Sequence, residues 1–104
     1  MGGSMAPGAD LRTWALRGAW LPGANLSGSD LRGMDLTGAN LAGADLTGAQ
    51  LRGADLRDAD LRGACLSGAD LSEALLDRVM MVDATLDGAS FERARLWGAD
   101  CSLV

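Results

Sequence analysis

Cys65 and Cys101 are the two thiols of this chain, and no histidine accompanies them anywhere in its 104 residues. A thiolate nucleophile needs a neighbouring base, and a structural zinc needs four suitably spaced ligands. Neither cysteine belongs to a CxxC pair, so thiol catalysis and metal ligation both lack partners. The other ionisable groups are fourteen acids and nine arginines, with no lysine. Paired aspartates can act as general acid and base, but only where a pocket shifts their pKa values. The elements that must carry these aspartates give them no such pocket, as the repeat below shows. No catalytic, cofactor-binding or metal-binding residue is therefore assigned, and the chain is expected not to be an enzyme and to use no cofactor.

Composition narrows the remaining classes. The net charge is −5, and the arginines form no clustered basic stripe, which speaks against direct nucleic-acid binding. No apolar run approaches the roughly 18 residues of a membrane span, and the start lacks a charged-then-apolar signal pattern. A cytoplasmic protein is expected, with no membrane and no small-molecule substrate among its partners. Aromatic residues make up only 4% of the chain, so Leu and Ala must fill the core. Residues 1–8 read as an amino-terminal tail, Met1–Ser4 being a cloning remnant ahead of a native start at Met5. Residues 9–104 form one domain.

Leu, or a residue of similar bulk, returns every fifth position from Leu11 to Cys101, and two places earlier the residue is nearly always Ala. A period of five is neither the alternation of a strand nor the 3.6 of a helix. The glycines that share this beat would each cost a helix about 1 kcal/mol relative to Ala. Short extended pieces joined by turns satisfy both facts. They form a solenoid, in which each unit buries its apolar residues by stacking on its neighbours.

Ala44-Asp45-Leu46-Thr47-Gly48, Ala54-Asp55-Leu56-Arg57-Asp58 and Ala69-Asp70-Leu71-Ser72-Glu73 carry an A-(D/N)-L-x-x motif. Over residues 9 to 103 the chain resembles the pentapeptide-repeat family. The resemblance implies an all-β fold, a right-handed quadrilateral parallel β-helix with one pentapeptide per side and four per coil. Nineteen repeats then make about four and three-quarter coils. The central Leu and the small residue before it point inward.

Each corner is a four-residue turn that starts at the central Leu. A type II turn needs positive φ at its second middle residue, where Gly is unstrained. Gly fills that slot from Gly18 to Gly53, and Pro22 presets the position before Gly23. Regular corners are expected there. Asp58, Glu73, Arg78, Asp83 and Arg93 occupy the slot later, and less regular corners are expected in the second half.

Four repeats per coil stack residues twenty apart. Trp14 then falls in an Ala column, where overpacking would cost about 1–3 kcal/mol, so either the first coil is distorted or the indole folds over the open end, and the cap is the favoured expectation. Trp20, in an outward slot, is a second candidate for the amino-terminal cover. Aspartates directly before Leu are expected to bond nearby backbone amides. The columns Asp10, Asp30, Gln50 and Arg12, Arg32, Arg52 run side by side through the first three coils as acid and base ladders, expected to form a solvated face.

Charge is uneven: residues 1–53 hold four Asp and four Arg, whereas 54–104 hold ten acids and five Arg. Asp70, Asp77, Asp83 and Asp87 are the candidate acidic surface. The second half also places Leu75, Met80, Val82 and Trp97 in outward slots. With Leu103 and Val104 they form a candidate apolar contact for a protein partner. Cys65 is expected outward and Cys101 inward on another side, too far apart for a disulfide.

The last coil would present unpaired peptide groups that can pair with another chain. A homodimer through the carboxy-terminal coil is expected, and the favoured function is a non-enzymatic structural or protein-interaction module. The resemblance also implies an alternative. Acidic rod-shaped members of the family resemble B-form DNA, bind DNA gyrase or topoisomerase IV and protect it from quinolones. The neutral first half of this chain and its exposed Arg12, Arg32 and Arg52 weigh against that role.

Overall fold

The computed structural model describes Gly8 and residues 15–101. Parallel bridges join residues twenty apart at every fifth position, from Trp20↔Asn40 to Met80↔Asp100. One turn of the solenoid is therefore four pentapeptides. Each pentapeptide contributes a single bridged residue and then bends, so the β-structure consists of very short arms stacked along the axis.

Peptide hydrogen bonding explains why five residues suffice. In the pentapeptide around Leu41, the Leu41 N–H donates to Asp60 O of the next turn at 2.7 Å and the Gly43 N–H to Arg62 O at 2.8 Å. Asn40 N–H donates backward to Ala19 O at 2.9 Å, and Ala44 N–H closes the corner on Leu41 O at 3.0 Å. One N–H per repeat remains, that of the residue after Leu. The Asp or Asn before Leu takes it: Ala42 N–H donates to Asn40 Oδ1 at 3.0 Å. The same bond joins Thr37 to Asp35, Thr47 to Asp45 and Ser72 to Asp70 at 2.9–3.0 Å. Buried peptide groups must be paired, and this side chain completes the set. Its structural role is the one expected from the motif.

Twelve leucines from Leu21 to Leu76 lie fully buried, stacked in the centre with the Ala residues beside them. Burying one leucine contributes about 1.5–3 kcal/mol. Met34 and Val79 occupy Ala slots and are buried. Ser29 occupies a third, and its hydroxyl has no hydrogen-bond partner among the described residues. Burial fades toward the carboxy-terminal turn: Leu86 and Phe91 are half-buried and Leu96 is 38% exposed. Cys101, expected inward, is exposed because no described turn stacks on it. Trp14, Leu103 and Val104 lie outside the described residues.

The corners of the second half differ from expectation. Asp58, Glu73, Arg78, Asp83 and Arg93 all adopt positive φ, between 59° and 63°, close to the 66–69° of Gly18 to Gly53. The corner bond is unchanged, at 3.0 Å for Ala59 N–H to Leu56 O and 3.1 Å for Ala74 N–H to Leu71 O. Positive φ costs a non-glycine residue on the order of 1–3 kcal/mol. An irregular corner would instead break inter-turn hydrogen bonds and unstack a leucine, which costs more. Tertiary register therefore overrides local preference.

Candidate functional site

The outward positions form four sides, each with one slot before and one slot after the central Leu. Leu75 and Trp97 share a side, whereas Met80 and Val82 lie on the next one, around the corner at Arg78. The apolar contact expected from sequence is thus divided. Leu75, Met80 and Val82 are half-buried, and Trp97 alone projects, 71% exposed.

Between Leu75 and Trp97 lies an ion pair. Arg95 Nε donates to Asp77 Oδ2 at 2.9 Å and Oδ1 at 3.1 Å, and its Nη2 stands 2.8 Å from Oδ2. The guanidinium also lies 4.8 Å from the centre of the Trp97 ring, within the range of a cation–π contact. Arg95 occupies the slot normally held by Asp or Asn, and it bonds Asp77 of the turn below. The Arg95 hydrogen bond, reinforced by its charge and by the Trp97 amide, holds the Asp77 carboxyl below the usual carboxylate range.

The acidic surface is corrected accordingly. Asp77 is buried, not exposed. Asp70 is half-buried and accepts from both the N–H and the hydroxyl of Ser72, at 2.9 and 2.6 Å. Asp83 and Asp87 are exposed. Asp70, Asp77 and Asp87 face three different sides and Asp83 stands at a corner, so the fold does not gather the four into one surface.

Sequence reasoning missed the ion pairs that cross from turn to turn. Asp58 holds Arg78 through bonds of 2.7 and 3.1 Å. Glu73 accepts from Arg52 at 3.2 Å and from Arg93 at 3.3 Å. Opposite charges spaced by 18 to 21 residues were the available signal. Within a turn, Asp30, Asp55 and Asp60 each hold the Arg two residues later, at 2.6–2.7 Å.

A shallow polar cleft of about 220 Å³ opens beside Glu73, with Asp70, Ser72 and Ser90 between Arg52 and Arg93. Its charged groups already bond one another. Cys65 is half-buried in an Asp slot, with Thr47 Oγ1 at 3.2 Å from its sulfur. That hydrogen bond, with those of the Ser67 amide and hydroxyl, lowers the Cys65 pKa, whereas partial loss of solvent and the neighbouring Asp100 charge raise that of the otherwise exposed Cys101. Both thiols are free. Among the described residues no three His, Cys, Asp or Glu side chains are grouped to hold a metal ion, and no helix is long and apolar enough to cross a membrane. Trp20 is 60% exposed and lies on the side of Met80 and Val82.

A family model for pentapeptide repeats matches in eight copies, over residues 15–33, 21–58, 35–72 and 54–93. No curated protein sequence matches the chain significantly. Among solved structures, HetL, a pentapeptide repeat protein involved in heterocyst differentiation regulation in the cyanobacterium Nostoc, is 36% identical with a TM-score of 0.86. The match covers 97% of this chain and 50% of HetL. The Arabidopsis thaliana thylakoid-lumen protein AT2G44920 is 33% identical with a TM-score of 0.71, over 93% of this chain and 64% of that one. The chain thus spans about half the length of HetL and under two thirds of the Arabidopsis protein. The chain belongs to the pentapeptide-repeat family, whose right-handed β-helix is the fold described above.

Proposed function

We propose that this chain is a non-enzymatic repeat scaffold that works through protein contacts, self-association among them, with its nineteen pentapeptides wound into about four and three-quarter coils. One observation carries the proposal. The polar side chains best placed for chemistry are already engaged by the coil's own amides or by ion pairs, while bulky apolar side chains stand exposed to solvent. Trp97, Trp20 and Leu96 are 71%, 60% and 38% exposed, and two of the three belong to the last turn. A homodimer through the carboxy-terminal coil would cover that turn. The two free thiols fit a reducing compartment such as the cytoplasm.

The net charge of −5 favours the alternative, a DNA-like inhibitor of gyrase or topoisomerase IV. Its geometry weighs against it. The molecule measures 28 × 24 × 22 Å, a block rather than a rod, and arginines neutralise Asp58, Glu73 and Asp77. Molar mass in solution tests the self-association: mass rising above the monomer with concentration supports it, and a strict monomer overturns it and leaves a short scaffold for other partners. A DNA-supercoiling assay tests the alternative. Inhibition that disappears on neutralising Asp70, Asp83 and Asp87 would overturn the scaffold reading in its favour.

A further inference from the structure

The side that carries Trp20, Met80 and Val82 differs from its neighbours. Between Trp20 and Val82 its only charged residues are Asp60 and Arg62, which neutralise each other in an ion pair of 2.7 Å. Each of the other three sides carries at least two acids. Parallel bridges join Trp20 to Asn40, Asn40 to Asp60 and Asp60 to Met80, so the side is a stack of four levels, spaced by about 4.8 Å. Trp20 lies beside Pro22 on the first level, Asn40 beside Ala42 on the second, Asp60 beside Arg62 on the third and Met80 beside Val82 on the fourth. Both ends are apolar and the two middle levels are polar.

The levels also alternate in height. Trp20 is 60% exposed and the Arg62 side chain 58%, so the first and third levels project. Asn40, Ala42, Met80 and Val82 are half-buried, so the second and fourth lie low.

Resting on the self-association proposed above, we infer that its contact is this side, joined to the same side of a second copy turned end for end. A two-fold axis between the second and third levels sets every projecting level on a low one. Trp20 then meets the apolar pair Met80 and Val82, with the thioether against the indole. The Asp60–Arg62 pair meets Asn40 and Ala42. Asn40 gives its Oδ1 to the Ala42 N–H at 3.0 Å, which leaves its side-chain N–H groups to meet the Asp60 carboxylate, and the small Ala42 leaves room for the guanidinium. A copy kept parallel sets projecting levels against each other instead, with Arg62 beside Arg62. The end-for-end contact uses the same patch on both copies and closes on itself, so association stops at the dimer. One side of a molecule measuring 28 × 24 × 22 Å offers less than the roughly 800 Å² per partner of a standard interface. The dimer is therefore expected to be weak.

Sedimentation equilibrium of the full chain across a concentration series, with reductant present so that the free thiols stay unpaired, tests this. A mass that rises from the monomer and levels at the dimer is the expected result. Met80→Glu alone and Trp20→Lys alone are each expected to lose the dimer, and the double variant to regain it, because the end-for-end contact sets each new charge against its opposite. A double variant that stays monomeric overturns the arrangement, and so does a mass that climbs past the dimer. A dimer that survives Met80→Glu leaves self-association standing and overturns this side as its contact, whereas a strict monomer of the parent chain overturns both. If Met80→Glu loses its circular dichroism spectrum, Ala42→Arg is read in its place. It sets a like charge against the other copy's Arg62 without touching the core, and a dimer retained in that variant overturns the inference.

Discussion

Asp58 and Arg78 stand one above the other at successive turns of the same corner, both with positive φ, 62° and 60°, and joined by two hydrogen bonds of 2.7 and 3.1 Å. Each residue is strained by its backbone and held by the other's side chain. Glu73 and Arg93 repeat the arrangement at the next corner, at 3.3 Å.

Strain without such a partner should be open to relief. Asp83 has positive φ, 63°, and no ion pair among the described residues. Asp83→Gly is expected to stabilise the fold by about 1 kcal/mol, read from urea denaturation midpoints. Asp58→Gly should gain less, because it also releases Arg78. Equal gains in the two variants would show that the ion pair contributes nothing.

Ser29 buries a hydroxyl without a partner in a column otherwise occupied by Ala49 and Ala69. An unmade hydrogen bond of this kind costs on the order of 1–3 kcal/mol. Ser29→Ala should therefore raise the denaturation midpoint, and an unchanged or lower midpoint would mean that the hydroxyl finds a partner in solution.

Arg95 covers Asp77 and supports Trp97, whereas Arg17 stands 3.7 Å from Asp35 with both side chains largely exposed. Arg95→Ala should lower the melting temperature and shift Trp fluorescence, since it leaves a buried carboxylate unpaired. Arg17→Ala should leave both nearly unchanged. Equal losses from the two would contradict the burial of Asp77.

Acid should unfold the protein in a defined window. Hydrogen bonds from Thr47 hold Asp45 below its ordinary pKa, those from Arg62 do the same for Asp60, and those from Ser72 for Asp70. Groups depressed in the folded state add stability above the unfolded carboxylate range, and it is lost as pH falls through their lowered values. The melting temperature should stay level down to about pH 4 and then fall. Asp45→Asn keeps the acceptor for the Thr47 amide, as Asn40 does for Ala42, so it should flatten the acid limb with little change at pH 7. A steeper acid limb in Asp45→Asn would overturn the assignment.

The period of five was enough to place Leu and Ala inside, Asp and Asn on the amide after Leu, and Gly18 to Gly53 at corners. Each of these follows from a rule that acts within one repeat and recurs in the next. What tertiary structure decided lies between turns. Asp77 is buried because Arg95, eighteen positions later, reaches down over it, and that same pair divides Leu75 from Trp97. Asp58 and Arg93 accept positive φ because the turns around them would lose stacked leucines and ladder bonds otherwise. Side-chain reach and the cost of breaking register depend on neighbours brought close only by coiling, and a reading of one repeat at a time does not contain them.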